Sequence, residues 1–380
     1  MKVATVLFEN NSFVRELNNN NLDFNDLDLV LGFGSRDLLS DEKVFDQLKN
    51  KFPDSQLILC SSAGEVYENE VLDNTISLTG IKFSSTLIKT YEVDITAFEN
   101  SFQAGSSLIG KFDQENLKLV LILSDGGKVN GSELVNGMNA VKKDEVLIVG
   151  GLAGDGSRFE KTVVGLNTTP IQGKIIGIGF YGEKLLVSHG SLGGWESFGL
   201  ERIVTKSESN VLYEIDGKNV LDLYKIYLGK YAEELPGSAL LFPLSIKIDG
   251  VDEPIVRTIL SIDETNQTMT FAGDVPKGSK VRFMKANFDR LIDAASEAAS
   301  SCLEVNSFNP KLALLISCVG RKLILGTRID EEVEAVSYIF GDKTILSGFY
   351  SYGEISPLKP FGNCILHNQT MTITCINEID

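Results

Sequence analysis

LKLVLILSDG (117–126) begins the most informative part of the sequence, and SELVNGMNAVKK (132–143) and VLIVGGLAGDG (146–156) follow it. The first and third segments are apolar runs that end in glycine-rich turns, as is typical of parallel strands covered on both faces. The middle segment carries apolar residues such as Leu134 and Met138 at the spacing of one helix face. The pattern predicts a strand–helix–strand unit with a right-handed crossover.

The same pattern occurs once before this stretch and once after it. The paired strand segments are LDLVLGFG (27–34) with LILCSSAGEV (57–66) in the first copy, and KLALLISCVG (311–320) with TILSGFYSYGEI (344–355) in the third. A helical segment lies between the two strands of each copy. The third copy is longer by RKLILGTR (321–328), which we predict to be an added strand or loop. Three copies of one supersecondary unit therefore organise the chain.

Two further strand-like segments follow each unit, and we predict that each two form a β-hairpin. These pairs are TISLTGIKF with TLIKTYEVDI (75–95), IIGIGFYG with EKLLVSHG (175–190), and NCILHN with MTITCIN (363–377). The predicted fold class is α/β, with two domains whose mixed sheets are built from repeated β-α-β plus β-hairpin units. We assign residues 1–205 to a domain with two repeat units, and residues 206–380 to a domain with the third unit plus a helical insertion.

The amino-acid composition limits the kinds of molecule and the cellular location that we expect for this chain. The 380 residues carry a formal net charge of −17, which disfavours binding to nucleic acid and to anionic membrane surfaces. No apolar stretch approaches the roughly 18 residues of a membrane helix, so we expect no membrane insertion. The five cysteines form no C-x-x-C pair, and the odd count is typical of reduced thiols. We therefore expect a cytoplasmic protein.

The turns that close the three units are the candidate binding surface. Ligands of open α/β sheets bind beyond the carboxyl ends of the strands, where glycine allows close backbone approach. The residues at these ends are Ser61, Ser62, Gly64 and Glu65 in the first unit, Gly151, Gly154 and Asp155 in the second, and Tyr350, Ser351, Tyr352, Gly353 and Glu354 in the third. Their acidic members could hold an ammonium group. The alternative interpretation is that they are only tight turns between strands.

Three more residues are candidates for the same site. Arg158 and Arg321 each follow a glycine-rich turn, where a guanidinium could clamp a carboxylate with two hydrogen bonds. A surface or inter-domain ion pair is the alternative for both arginines. Trp195 lies in GSLGGWESFG and either walls a pocket or fastens the two domains together, and we favour the second.

Several separated segments resemble one known family. VGGLAGDGSRFEKTVVG (149–165), HGSLGGW (189–195) and VLYEIDGKNVLDLY (211–224) are similar to the N-terminal FIST sensory domain and its junction. SCVGRKLILG (317–326) and GFYSYGEISP (348–357) are similar to the companion FIST C-terminal domain. The resemblance covers nearly the whole chain and implies a sensor of small polar ligands, with amino acids suggested. It also implies a partner signalling protein, because no residues remain here for an output domain.

Some FIST members resemble haem-binding regulators that respond to nitric oxide and act on a partner histidine kinase. The alternative that this implies is a haem-based nitric oxide sensor with bound haem b. The chain has only two histidines, His189 and His367, and one imidazole suffices as the axial ligand of haem iron. A hydrogen-bonded structural role is the alternative for both.

Enzyme activity is not expected. Gly177, Gly179 and Gly182 match a dinucleotide motif, but a strand follows where that fold needs a helix. A cysteine-dependent hydrolase using Cys60 or Cys318 at a strand end is a further alternative, although buried thiols fit better. The hypothesis is therefore a sensor in which the carboxylate of an amino acid would meet backbone N–H groups or Arg321, and its ammonium would meet Glu354 or Asp155.

Overall fold

The computed structural model describes residues 1–235, 237–247, 254–305, 308–358 and 362–379. The first unit and its flanks comprise β1 (Lys2–Glu9), β2 (Ser12–Leu17), β3 (Leu29–Gly34), α1 (Arg36–Leu39), α2 (Glu42–Lys51), β4 (Gln56–Ser61), β5 (Glu65–Tyr67), β6 (Glu70–Leu72) and β7 (Ile76–Lys82). The second unit comprises β8 (Leu87–Asp94), α3 (Ser101–Gly110), β9 (Leu117–Ser124), α4 (Gly131–Asn139), β10 (Leu147–Leu152), β11 (Val164–Leu166), β12 (Lys174–Tyr181) and β13 (Leu185–Leu192).

The remaining elements form an inserted region and the third unit. The inserted region comprises β14 (Glu196–Glu208), β15 (Val211–Ile215), β16 (Lys218–Asn219), α5 (Val220–Leu228), β17 (Leu244–Lys247), β18 (Ile255–Arg257), β19 (Ile259–Asp263), β20 (Thr268–Phe271) and β21 (Lys280–Lys285). The third unit comprises α6 (Phe288–Val305), β22 (Leu312–Cys318), α7 (Val319–Leu325), α8 (Ile329–Phe340), β23 (Ile345–Ser351), β24 (Gly353–Pro357), β25 (Cys364–His367) and β26 (Met371–Glu378).

Each repeat unit is the centre of one six-stranded mixed sheet. The two strands of a unit run parallel in all three sheets, as β3 with β4, β9 with β10, and β22 with β23. A helix connects the two strands each time, so the predicted strand–helix–strand repeat and the mixed α/β fold class are confirmed. The inner faces of the three sheets meet in one buried core that contains Leu31, Leu121 and Leu314. Helices cover the outer faces, which explains why the strands are apolar on both sides.

The predicted hairpins after each unit are wrong. β7 pairs with β1 and β3, whereas β8 pairs with β12 in the next sheet. In the same way β12 and β13 lie in different sheets, and so do β25 and β26. A short turn cannot show in sequence whether it joins neighbours in one sheet or crosses to a second sheet packed against the first. Here each of these turns makes that crossing.

The units instead exchange strands in a cycle. The β5–β6 hairpin of the first unit extends the sheet of the third by pairing with β23. The β24–β25 hairpin of the third unit extends the sheet of the second by pairing with β10. Strand β11 of the second unit completes the cycle by pairing with β4 of the first. The three units therefore form one interlocked core.

The inserted region differs from the sequence interpretation. It contains α5, but strands β14–β21 make most of it and surround a separate core that includes Tyr224, Phe271 and Phe283. The predicted boundary near residue 205 falls inside β14, and two of the core sheets combine strands from both sides of it. The predicted extra strand or loop at 321–328 falls mostly in helix α7. In the part of the chain that the structure describes, no helix has the length and apolarity that crossing a bilayer requires.

Candidate functional site

The structure brings the closing turns of the three units together. We call them the first corner (residues 61–65), the second corner (151–155) and the third corner (350–354). The Ala63 amide donates to the Tyr350 carbonyl at 2.8 Å, and the Gly154 amide donates to the Ser61 carbonyl at 2.9 Å. The Tyr352 amide donates to the Leu152 carbonyl at 3.1 Å, so each corner is bonded to the other two.

The corners are buried and bonded to the protein itself. Glu65 accepts hydrogen bonds from Ser62 and from Thr75, whose hydroxyl lies 2.8 Å away. Glu354 accepts the equivalent bonds from Ser351 at 2.7 Å and from Thr370, whose hydroxyl lies 2.9 Å away. Burial raises the pKa of each carboxyl to about 7, against the effect of these hydrogen bonds. Their oxygens already have protein partners, so an ammonium group would have to displace a hydrogen bond.

The second corner carries Asp155 at the matching position, held by arginine instead. Asp155 is fully buried and accepts from Arg36 Nη1 at 2.9 Å and from Arg158 Nε at 2.9 Å. Arg158 also donates to Asp37 at 2.7 Å. The guanidinium predicted to clamp a ligand is therefore part of an ion-pair cluster, the alternative weighed for it.

Arg321 has the same kind of structural role. Its side chain is fully buried and donates from Nε to Glu332 at 3.2 Å. Nη1 donates to the Gly193 carbonyl at 2.6 Å, and Nη2 to the Leu291 carbonyl at 2.7 Å. Each nitrogen of this guanidinium has a protein acceptor. Trp195 donates from Nε1 to the Gln369 carbonyl at 3.0 Å and packs on the third unit.

The two histidines do not favour haem ligation. His189 Nε2 lies 3.1 Å from the Pro357 carbonyl, and His367 Nε2 lies 3.0 Å from the Ser356 carbonyl. Burial lowers the pKa of both imidazoles, that of His367 to about 4, so both are neutral. Coordination of iron through Nε2 would break these bonds. Across the described segments, no three His, Cys, Asp or Glu side chains cluster in a way that could hold a metal ion.

The contacts between units form three junctions, each between the loop after the first strand of one unit and the corner of the next. Two junctions are closed by a basic side chain. Arg36 of the first unit reaches Asp155 of the second corner, and Lys322 of the third unit donates to the Ala63 carbonyl of the first corner at 2.9 Å. Gly64 is needed for this packing, because its φ is 143° and a Cβ there would lie 2.5 Å from Lys322 Nζ.

The third junction, between the second and third units, is open. A cavity of about 800 Å³ lies there, a size usual for small-molecule sites. The loop 126–131 after β9, the loop 159–162, the start of α7 and the inserted region surround it. Leu152 of the second corner and Tyr352 of the third corner lie in its wall, so these are the predicted corners that reach the cavity. The cavity therefore lies at the carboxyl ends of β9, β10 and β22, as the general rule for such sheets requires.

Polar groups in the cavity wall are few. Lys128 and Lys161 are exposed at its edge, and neither ammonium makes a hydrogen bond or ion pair with the residues that the structure describes. Thr258 is buried, and its hydroxyl has no hydrogen-bond partner among them. Phe159 and Tyr352 stack with ring centroids 4.7 Å apart, beside the cavity. The arrangement can hold an organic molecule.

Cysteine chemistry is not supported at the cavity. Cys318 lies in the wall but is buried, and burial raises the pKa of its thiol, as it does for Cys60. The reactive form of cysteine is the thiolate, which this environment disfavours.

Sequence reasoning missed the loop after β9 and the loop after the second corner. Phe159 and Lys161 lie within the segment 149–165 that resembles the FIST N-terminal domain, and Lys128 lies between the predicted strand at 117–126 and the predicted helix at 132–143. The available signal was the position of DGGKVNG directly after a buried strand, the place at which α/β sheets bind ligands.

Comparisons with known proteins cover most of the chain. The FIST N domain matches residues 28–218 and the FIST C domain matches residues 221–357. A protein of Methanocaldococcus jannaschii described as uncharacterized is 22% identical over 352 residues, which is 82% of this chain and 66% of the relative's length. The crystal structure of a cyanuric acid hydrolase from A. caulinodans aligns with 94% of this chain and 92% of its own at a TM-score of 0.36 and 6% identity.

Proposed function

This chain belongs to the FIST family, whose domains are sensory domains of signal transduction, and we propose that it senses a small molecule bound in the open junction. The observation that carries the proposal is the difference between the junctions. Arg36 and Lys322 occupy two of them, whereas the third contains a cavity of about 800 Å³. A ligand can enter there without displacing a protein hydrogen bond.

The inserted region is the part that would report binding. Arg257 is buried and donates from Nη1 to the Leu366 carbonyl at 2.9 Å, which ties the inserted region to the third unit. Ser132 Oγ accepts from the Asp274 amide at 3.2 Å and ties it to the second unit. A ligand that contacts both sides of the cavity favours one arrangement of these ties over others. We propose that a partner signalling protein, such as a histidine kinase, recognises that arrangement.

Two expectations from the sequence change at this site, namely the mode of amino-acid binding and the haem alternative. An amino acid would not bind through Arg321, Asp155 or Glu354, because all three are buried with protein partners. No residue of the cavity wall favours the haem alternative, since neither histidine lies there.

We propose binding without turnover, because the one thiol in the wall stays protonated. The five free cysteines favour a reducing compartment, and we propose the cytoplasm.

Filling the cavity tests the proposal. Ala272 lies in the wall and is half-buried, so Ala272→Trp places an indole in the cavity. A thermal-shift screen of small metabolites should find compounds that raise the Tm of the unchanged protein, because a ligand stabilises in proportion to the logarithm of its concentration over Kd. We expect Ala272→Trp to remove those shifts.

Val14→Trp is the matched control, since Val14 is 45% exposed on β2 and does not line the cavity. This control should keep every shift. The proposal is wrong if no compound binds, or if Ala272→Trp binds the same compounds with unchanged affinity.

A further inference from the structure

The walls of the cavity indicate what kind of molecule fits. Most of its inner surface is apolar and comes from the second unit, the third unit and the inserted region, through Val129, Leu152, Ile259, Val319 and Leu366. A compact polar ligand such as a dicarboxylate would leave this surface in contact with water. An apolar body of several carbons would cover it, with a gain of about 25 cal/mol for each Å² of apolar surface buried.

One side of the cavity suits a flat group. Phe159 is 47% exposed and has φ of 54°, a conformation that bulky residues rarely adopt. Its ring stacks on Tyr352 with an angle of 20° between the planes. The Tyr352 hydroxyl accepts from the Phe159 amide at 3.1 Å, so the two residues hold each other in place. An aromatic ligand can pack on this pair through offset stacking.

The edge of the cavity is cationic in an acidic protein. The chain has a net charge of −17, yet Lys128 and Lys161 both lie at the cavity. Neither ammonium forms a close ion pair within the described ranges, although the longer-range attraction of Lys128 helps to lower the pKa of Asp94. The acid in the wall, Glu160, lies 3.5 Å from Arg36 Nη1 and is partly neutralised by it. Asp155, the nearest corner acid, is paired with Arg36 and Arg158. The unpaired charge at the edge is therefore positive.

One buried side-chain polar atom in the cavity wall has no hydrogen-bond partner among the described residues. It is the hydroxyl oxygen of Thr258, a residue that is 5% exposed. A buried hydroxyl without a partner costs free energy, which a ligand oxygen or nitrogen can recover. One such group beside a largely apolar wall fits a ligand with few polar atoms in its body.

We infer that the open junction takes an amphipathic organic anion, with an aromatic or aliphatic body inside the cavity and one carboxylate at Lys128 and Lys161. The inference rests on the proposed function, because it specifies the ligand class of the same cavity. It differs from the amino-acid expectation in requiring no site for an ammonium group.

Matched probes of equal shape and different charge test it. Titration calorimetry with the whole chain at low salt compares 3-phenylpropionate, 3-phenylpropan-1-ol and 3-phenylpropylamine, with succinate as an anion that lacks the apolar body. We expect 3-phenylpropionate to bind about tenfold more tightly than the amine, because the two lysines attract its carboxylate and repel the ammonium group. We expect it to bind about tenfold more tightly than succinate as well, because succinate lacks the apolar body. The preference should decline in 0.5 M salt.

A double variant identifies the residues. Lys128→Gln with Lys161→Gln should weaken 3-phenylpropionate about tenfold and change 3-phenylpropan-1-ol by less than about twofold, because the alcohol carries no charge. Lys118→Gln with Lys343→Gln makes the same change in net charge at exposed lysines outside the cavity wall and should have little effect.

The outcomes separate the two proposals. If the amine binds as tightly as the carboxylate, or the double variant keeps the carboxylate affinity, the ligand class is wrong while the cavity remains a binding site. If none of the four probes binds, the ligand class is also wrong, and the metabolite screen with Ala272→Trp decides whether the cavity binds anything.

Discussion

The closed junction at the first corner and the open junction at the third corner have the same backbone arrangement. They differ in whether a basic side chain fills the space between the loop and the corner. At the closed one, Lys322 extends over Gly64 and bonds the Ala63 carbonyl. At the open one, the loop 126–131 and Tyr352 both border the cavity, and the inserted region forms another part of its wall. The corner acids Glu65 and Glu354 have matching partners, so the corners themselves do not make the difference. The proposed site therefore lies at the one junction that lacks a basic side chain like those that close the other two.

Helix α7 belongs to both junctions. Lys322 on this helix closes one of them, while Cys318, Val319 and Gly320 at its beginning border the other. Arg321 lies between these two sets and anchors the helix to α6, α8 and the Gly193 loop. The difference between the closed and the open junction therefore depends on how strongly the surrounding residues hold α7 in place.

Arg321→Met should have the largest effect. The variant leaves the buried carboxylate of Glu332 without its cation and removes hydrogen bonds to three backbone carbonyls, of which that of Gln369 keeps its bond from Trp195. Breaking a buried pair from one side costs about 3–5 kcal/mol of unfolding free energy, which urea titration measures. Arg328→Met, which removes an exposed ion pair with Glu331, is the control and should change stability little. A small effect at Arg321 would show that α7 is held by packing alone.

The equivalence of the two corner acids predicts a shared dependence on pH. Burial raises the pKa of Glu65 and of Glu354 to about 7, from an ordinary value of 4.5. The folded protein therefore binds these protons more tightly than the unfolded chain. The stability that each protonated carboxyl contributes is complete below pH 4.5 and is lost as pH rises through 7.

Glutamine mimics the protonated acid and does not titrate, so each single variant tests this. From pH 5 to pH 8, Glu65→Gln and Glu354→Gln should each gain about 2 kcal/mol of unfolding free energy relative to the unchanged protein. Glu145→Gln, at an exposed acid, controls for the change in net charge. Equal gains would show that the two corners are electrostatically equivalent. A gain at one acid and none at the other would show that they are not.

Lys322→Met should have the smallest effect of the three. The side chain is 15% exposed and would lose one hydrogen bond to Ala63 and an ion pair with Asp73, for a cost of about 1 kcal/mol in urea titration. Lys225→Met removes a more exposed pair with Glu264 as the control. A cost above that of Arg321→Met would contradict the ranking, because Lys322 rather than Arg321 would then hold α7.

The strand–helix–strand repeat could be predicted from sequence because it depends on local pattern. The apolar runs at 27–34, 117–126 and 311–320 each became a central strand. The pairing of later strands could not be predicted, since the turn at 83–86 reads the same whether β8 pairs with β7 or crosses to the next sheet. Only the packing of three inner faces decides that outcome.

The candidate site could be predicted only to the correct end of the sheets. Glycine-rich turns with acids resemble ligand contacts, but the acids at 65, 155 and 354 are buried among partners from distant segments. Those partners, such as Thr75 and Thr370, carry no signal in sequence. Lys128 and Lys161 could not be identified in the same way, because a surface lysine is ordinary until the structure shows that it borders a cavity.

The cyclic exchange of strands has a consequence for synthesis on the ribosome. The sheet of the second unit is incomplete until β24 and β25 have been synthesised, about two hundred residues later. Strand β5 likewise lacks its partner until β23 has been synthesised. A nascent chain that has completed two units therefore exposes the edge of β10 to other chains. We expect such a chain to need protection by chaperones until its last strands emerge, and to aggregate if translation stops early.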